Sequence, residues 1–345
     1  MPSVSLLLCT RNRAHHLRPT LASIAATRVP SEMSMELVVV DNGSTDQTPT
    51  VVHEAQAPFP IRYITEPTPG ASNARNAALK AARHDILLWT DDDTRVPEDW
   101  IAPMTSPIAH GEADIVAGGV RLADHLQRDW MEPWHHSLLA STAHRLKDEV
   151  LHDVVGANMA FGRHVLGSVP GFDPELGPGA LGLCEESHFV ERLVRLGYKV
   201  APALDVEVVH HPDPSRLTTQ ALIGALEGLG RSQAFIRYHW RHDDPVAHES
   251  PLRTQLRITS LQAKAAVKDL WRPVRSSEEG LSSSEAYYVR QLAYLRQSVV
   301  ERQRPRLYAR YAAQRRIAPS SVRPEPRRQT APQPALSSEA TVHTR

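Results

Sequence analysis

The stretch Ile86-Leu87-Leu88-Trp89-Thr90-Asp91-Asp92-Asp93 passes from unbroken apolar residues straight into three carboxylates. Apolar residues without polar alternation mark a strand covered on both faces. Three adjacent aspartates at its end repel one another and resist burial, so a cation or solvent must compensate them. Alternate side chains, Asp91 and Asp93, can reach a hard divalent ion that also holds phosphate oxygens. The other reading of these residues is an acidic turn capping a helix near Pro97-Glu98-Asp99-Trp100.

Upstream, Val4–Cys9 and Leu37–Val40 repeat the buried-strand pattern, and Ile61–Ile64 repeats it weakly. Helical patterns separate them. Leu17–Ala26 places Leu17, Leu21 and Ile24 on one face. Ser44-Thr45-Asp46-Gln47 reads as a capping box opening a helix to about Gln56. Ser72–Ala82 is an alanine-rich helix. This βαβαβαβ order predicts an α/β fold with a mostly parallel sheet and right-handed crossovers. Ligands in such sheets sit beyond the carboxyl ends of the strands. Two of these ends are acidic: Val40 leads to Asp41, and Trp89 to Asp91. Asp41 either accepts hydrogen bonds from a base or ribose, or serves only as the turn residue of Asp-Asn-Gly-Ser. Thr10 closes the first strand, and Arg75 near the alanine-rich helix can hold a base or a phosphate.

Downstream, strands are expected at Ile115–Ala117, Val154–Phe161 and Val206–Val209. Helices are expected at Glu186–Leu196, Thr218–His239, Pro251–Trp271 and Ser284–Gln314. No internal repeat interrupts this order.

The 345 residues are 41% hydrophobic and 23% charged, ordinary for a globular protein. Two cysteines, Cys9 and Cys184, exclude a disulfide framework and a four-cysteine zinc site. No run approaches the roughly 18 apolar residues of a membrane span. A cytoplasmic protein is expected. The zero net charge hides an asymmetry: residues 1–250 hold 21 Lys and Arg against 32 Asp and Glu, and residues 251–345 hold 18 against 7. That suggests an acidic body with a basic appendage. From about Pro319 to Arg345, a Pro/Arg-rich tail has little to bury, and disorder is expected there.

No Gly-x-Gly-x-x-Gly follows the first strand, which argues against a Rossmann dehydrogenase, and no Gly-Lys-Ser/Thr loop appears. Four pieces occur instead, in order. They are Leu8-Cys9-Thr10-Arg11-Asn12-Arg13, Val39-Val40-Asp41-Asn42-Gly43-Ser44-Thr45-Asp46, Gly70-Ala71-Ser72-Asn73-Ala74-Arg75-Asn76, and Asp91-Asp92-Asp93 with Pro97 and Trp100 beyond. Together, over about residues 3–215, they resemble glycosyltransferase family 2. The resemblance implies the GT-A fold, a Rossmann-like nucleotide-diphospho-sugar transferase sheet flanked by helices. It implies a nucleotide-sugar donor, UDP by family habit, a Mg²⁺ or Mn²⁺ cofactor, and transfer with inversion. Residues 1–110 would form the donor half and 111–215 the acceptor half. Residues 216–318 would form a helical C-terminal extension.

Carried over by position, Thr10, Arg11, Asp41, Arg75, Asp91 and Asp92 fall on the donor side. Asp93 and Asp91 match the Asp-x-Asp metal pair, with Asp93 the direct ligand. His210, after a late strand, matches a histidine that completes metal or diphosphate binding; His211 is the alternative. Gly171-Phe172-Asp173 and Cys184-Glu185-Glu186-Ser187-His188-Phe189 resemble the family's acceptor-side motif. Glu186 occupies the slot of an aspartate base, and His188 that of a second aspartate. An inverting transfer needs one base for the acceptor hydroxyl; Glu185 is the alternative. The two glutamates would otherwise be an acidic helix start favoured by the dipole. Asn158 falls on a strand facing the acceptor, a carbohydrate, lipid-linked or small-molecule hydroxyl compound. Trp130, Trp134, His135 and His136 either stack on a sugar or pack in a loop.

The rival readings are a non-catalytic nucleotide- or sugar-binding protein on this fold, a retaining GT-A transferase, and a sugar-1-phosphate nucleotidyltransferase. The last lacks its glycine-rich loop here. A nucleic-acid partner is not expected, because the basic tail carries few aromatics and the whole chain is neutral. In the basic third, Leu292, Leu295 and Val299 form an apolar stripe beside Arg296 and Arg302. It either packs on the acidic body or lies on the inner face of a membrane as a peripheral contact.

Overall fold

Strand β1 (Ser3–Thr10) lies between β2 (Ser34–Asp41) and β4 (Ile86–Asp91), parallel to both, and β2 carries β3 (Ile61–Thr65) parallel on its outer side. The computed structural model describes residues 2–143, 154–270 and 280–309, without the side chains of 268–270. The helix expected over Ser284–Gln314 stops at Glu301, ahead of Pro305; its stretch beyond residue 309, Trp271 and the Pro/Arg tail from Pro319 lie outside the described residues. The eight strands form one sheet in the order β3-β2-β1-β4-β7-β6-β8-β5. Its second half is mixed. β7 (Asn158–Gly162) runs antiparallel to β4 and to β6 (Ile115–Leu122). β8 (Val200–His210) runs parallel to β6, and the two-residue β5 (Thr94–Arg95) runs antiparallel to β8.

The unbroken apolar runs follow from this burial. Leu6 and Leu8 enter one core layer with Leu37 and Val39, while Leu7 enters the opposite layer with Val38 and Val40. Each such side chain removed from water contributes about 1.5–3 kcal/mol. Helices α1 (Ala14–Ala25), α2 (Thr48–Glu54), α3 (Ala71–Ala81) and α4 (Ile101–Ala109) cover the sheet. α5 (Pro133–Leu138) is short.

Two boundaries differ from expectation for identifiable reasons. α2 begins at Thr48, because Ser44 and Asp46 are spent on a loop. Ser44 Oγ accepts the Asn12 amide at 2.8 Å, and Asp46 accepts the amides of Ala14 and Thr48. Ser44 and Asp46 thus fasten the start of α1, and α2 is not capped at Ser44. β7 begins at Asn158, not Val154, because the chain at Gly156 bends against Arg75 and Glu186. A Cβ on Gly156 would stand 2.5 Å from Glu186 Oε1.

The C-terminal region is helical. α6 (Glu185–Arg195) precedes β8, and α7 (Thr219–Phe235) continues into a π-helical turn, Ile236–Arg241. α8 (Pro251–Leu270) and α9 (Ser283–Glu301) follow. Leu295 is fully buried in a cluster with Ala234, Val246, Ile258 and Tyr294, with Leu292 packed against it, and Val299 is half-buried. α9 lies along α7, so the stripe is spent on packing within the chain. No helix among the described residues is long and apolar enough to cross a membrane.

Candidate active site

Parallel pairing sets the floor of the site. Thr10 is in register with Asp41, and Cys9 with Asp91, so three strands end at one edge. A cavity of about 870 Å³ opens there. Thr10, Arg11, Arg13, Asn42, Arg75 and Asp91 to Asp93 line it from the side of β1, β2 and β4; Gly156, Glu185, Glu186, His210 and Arg216 line it opposite.

Asp93 is the most constrained of the three aspartates. Its Oδ2 accepts from Arg13 Nη1 at 3.1 Å, and its Oδ1 stands 3.2 Å from His210 Nε2. Burial opposes its charge, but His210, Arg13 and Arg216 together hold its carboxyl below the usual range. Asp92, almost buried, goes the other way: burial and then the Asp93 charge push it up to about 7. Asp91 is more open and lies 3.6 Å from Arg75 Nη2.

The antiparallel β5–β8 pair brings the histidine in, with Thr94 opposite His210 and the His211 amide donating to the Asp93 carbonyl at 2.7 Å. His210 Nδ1 sits 2.8 Å from the Leu139 carbonyl, which can only accept. Nδ1 therefore carries hydrogen, and Nε2 of the neutral ring presents a lone pair to a carboxylate. That arrangement calls for a proton or a metal cation between them. Asp93 and His210 thus fit a divalent ion. They do not form a closed cage with Asp91. Among the described residues, the trio with donor atoms within 4.8 Å of one another is His15, His16 and Asp213. His211 turns away to stack near His125, with ring centroids 5.6 Å apart.

Beside Asp91, buried Arg75 forks between two carboxylates from the opposite wall. Nη1 donates to Glu185 Oε1 at 2.5 Å and Nη2 to Glu186 Oε1 at 2.7 Å. Both glutamates occupy the first turn of α6, whose N-cap Cys184 adopts a left-handed φ of 76°. Glu185 is nearly inaccessible, and burial followed by the Glu186 charge pushes its carboxyl up to about 8. Glu186 keeps about a fifth of its side chain exposed and lines the cavity.

Two expected contacts are placed elsewhere. Asn158 is fully buried and does not line the cavity, which corrects its reading as an acceptor contact. Its Oδ1 accepts from Trp100 Nε1 at 2.9 Å, and its Nδ2 donates to the carbonyls of Gly119 and Val206, each at 2.8 Å. The amide ties β7 to β6, β8 and α4. Gly118 leaves room for it, since a Cβ there would stand 2.2 Å from Asn158 Nδ2. Asp41 is also turned from the cavity: it accepts the Ser44 amide at 2.8 Å and the Tyr63 hydroxyl at 2.6 Å. Asn42 lines the cavity in its place, its amide braced by the Glu66 and Thr68 carbonyls and the Gly70 amide. His188 is buried beside Glu191, 3.8 Å away, and Trp240.

Sequence reading missed Arg13 and Arg216 as contributors, and of the cavity roof it offered only Trp134. Arg13 lay inside the quoted Thr10–Arg13 motif and was the one with a signal. Arg216 follows β8 with no motif. The roof, made by Trp134 and Ser137 of α5 and by Ser283, Ala286 and Tyr287 of α9, joins segments about 150 residues apart. Glu132 fixes that junction by accepting from the Ser283 hydroxyl and amide. Trp134 thus lines the cavity. Trp130 packs against Gly280, and His135 is buried with its Nδ1 accepting from the Glu132 amide at 3.0 Å.

Comparison with known proteins agrees with this geometry. Residues 5–169 match the family model described as "Glycosyl transferase family 2". The "Succinoglycan biosynthesis protein ExoM" of Rhizobium meliloti is 32% identical over 120 residues, 34% of this chain and 38% of that protein. The "Uncharacterized glycosyltransferase YfnE" of Bacillus subtilis is 30% identical over 115 residues, 33% of this chain and 29% of that protein. The chain therefore spans well under half the length of these relatives. In fold it resembles a mannosyltransferase from Pyrobaculum calidifontis, solved with GDP-Man and Mn²⁺, at TM-score 0.56 and 21% identity over 87% of this chain and 86% of that one. The shared fold is GT-A. By sequence match, residues 5–169 belong to glycosyltransferase family 2.

Proposed function

We propose that the chain transfers a sugar from a nucleotide-sugar donor, a UDP-sugar in the first instance, to an acceptor hydroxyl with inversion. One observation carries the reading: a single cavity gathers Asp91, Asp93 and His210 with Arg13, Arg75 and Arg216, and opens onto the Glu186 carboxylate. The first group suits a diphosphate, and the glutamate suits a hydroxyl.

Asp93 and His210, with Asp91 at the rim, would hold a Mg²⁺ or Mn²⁺ ion that withdraws charge from the departing diphosphate. Arg13 and Arg216 add fixed positive charge beside it. Glu186 accepts the proton of the acceptor hydroxyl while that oxygen bonds to the anomeric carbon. The bond to the diphosphate breaks in the same displacement, and its electron pair leaves on the diphosphate oxygen. Glu185, held protonated near neutrality by burial, keeps Arg75 in place and is the poorer base. The test is turnover of a panel of nucleotide sugars with and without Mn²⁺. Metal-dependent release of nucleoside diphosphate is expected. Tight nucleotide binding with no turnover for any donor or acceptor would favour the non-catalytic binding protein.

A further inference from the structure

Behind α6 lies a second cavity, of about 1060 Å³, between α6, α7 with its π-helical turn, and α9. Cys184, Ser187, Leu229, Tyr287 and Arg290 line both cavities, so the two share a wall beside Glu186. The lining of the second is strongly basic: Arg195, Arg237, Arg241, Arg257 and Arg290 stand against one acidic side chain, Glu191. Glu191 is shared, accepting from Arg195 at 2.9 Å and from Arg241 at 2.7 Å. Arg237 is held by Asp243 and Arg257 by Glu249, both outside the lining. The Arg290 guanidinium has no hydrogen bond or ion pair among the described residues. It is half-buried on α9, at the border of the two cavities.

A half-buried guanidinium without a partner, in a wall of surplus positive charge, is costly unless an anion completes it. Arginine forks are matched to phosphate oxygens. We propose that this cavity binds a phosphate group of the acceptor, with Arg290 and Arg237 as its principal donors. The acceptor hydroxyl is then presented through the shared wall to Glu186. This rests on the transferase reading above and adds to it the chemical class of the acceptor: a phosphate-bearing molecule. The helical region beyond β8 gains a role in acceptor selection.

The experiment uses the full chain, saturated with UDP so that the donor cavity is filled, and titrates pyrophosphate by calorimetry without divalent metal. Wild type is expected to bind pyrophosphate with one saturable site, weakened at least about tenfold in both Arg290→Gln and Arg237→Gln. Arg290 has no internal partner to lose, so its variant should keep the wild-type melting temperature. No saturable binding by wild type, or equal binding by wild type and both variants, overturns the proposal. UDP binding by wild type is read beforehand in a separate titration with Mn²⁺, and its absence there would instead count against the transferase reading. A second arm distinguishes the source of the phosphate. Cosedimentation with phosphatidylglycerol vesicles that is lost in Arg290→Gln supports a lipid-borne phosphate. Pyrophosphate binding without cosedimentation supports a soluble one.

Discussion

His210 Nε2 and Asp93 Oδ1 stand 3.2 Å apart, joined across β5 and β8, two strands that meet through only two residue pairs. The Leu139 carbonyl fixes the hydrogen on Nδ1, so the contact is completed by a proton or a metal cation on Nε2. Three strand ends and one late strand therefore converge on a single charge problem.

Asp93→Ala should abolish metal-stimulated transfer, by at least about 10²-fold, because the charge on the leaving diphosphate is no longer offset. His210→Ala should raise the Mn²⁺ concentration for half-maximal activity about tenfold or more. Activity titrations against Mn²⁺ check both. Full turnover by Asp93→Ala, or by wild type in excess chelator, sinks the metal assignment.

Glu186→Gln should lower kcat at least about 10²-fold and leave the donor KM near wild type, since the amide accepts no proton. Steady-state kinetics of Glu186→Gln beside Glu185→Gln decides which glutamate acts. Loss in Glu185→Gln alone would reverse the assignment.

Burial, and then the Glu186 charge, push the Glu185 carboxyl up to about 8 in the folded chain, against an ordinary value of 4.5. Its contribution to stability is fully present below about pH 4.5 and is lost as pH rises toward 8. Glu185→Gln removes that loss while keeping an acceptor for Arg75. It should raise the melting temperature at pH 8, by an amount of order 1–3 kcal/mol in stability, with the gain vanishing near pH 4.5. Melting curves across pH test this, and an equal effect at both ends would contradict it.

Asn158→Ala should destabilise the chain by about 2–4 kcal/mol, because it strands Trp100 Nε1 and two buried carbonyls. Chemical denaturation measures the loss. A fully stable variant with a raised acceptor KM would restore Asn158 to the acceptor site.

Leu295→Ala should cost about 2–5 kcal/mol by opening a cavity between α7 and α9. Ending the chain after residue 280 should give an aggregating product, because the docking face of α7 becomes exposed. A soluble, monomeric product of that truncation would show that α9 is dispensable to the core.

The amino-acid sequence by itself determined the strands β1 to β4, their parallel order and the acidic end of β4. Unbroken apolar runs report burial on both faces directly, and a strand's end lies where its run stops. It also placed Thr10, Arg75, Asp93, Glu186 and His210, which the fold brings to one cavity. What it left open was where a polar side chain finds its partners. Asp41 and Asn42 are neighbours with equal claim to a ligand, and only Tyr63 on β3, which takes the Asp41 carboxylate, decides between them. Asn158 read as a site residue because buried amides and binding amides look alike until Trp100, Gly119 and Val206 are seen around it. The contact of His210 with Asp93 came from β5 pairing with β8, and the cavity roof came from α5 meeting α9. These contacts join residues from 22 to about 150 positions apart, and local pattern carries no record of them, because side-chain hydrogen bonds and packing are set by proximity in space.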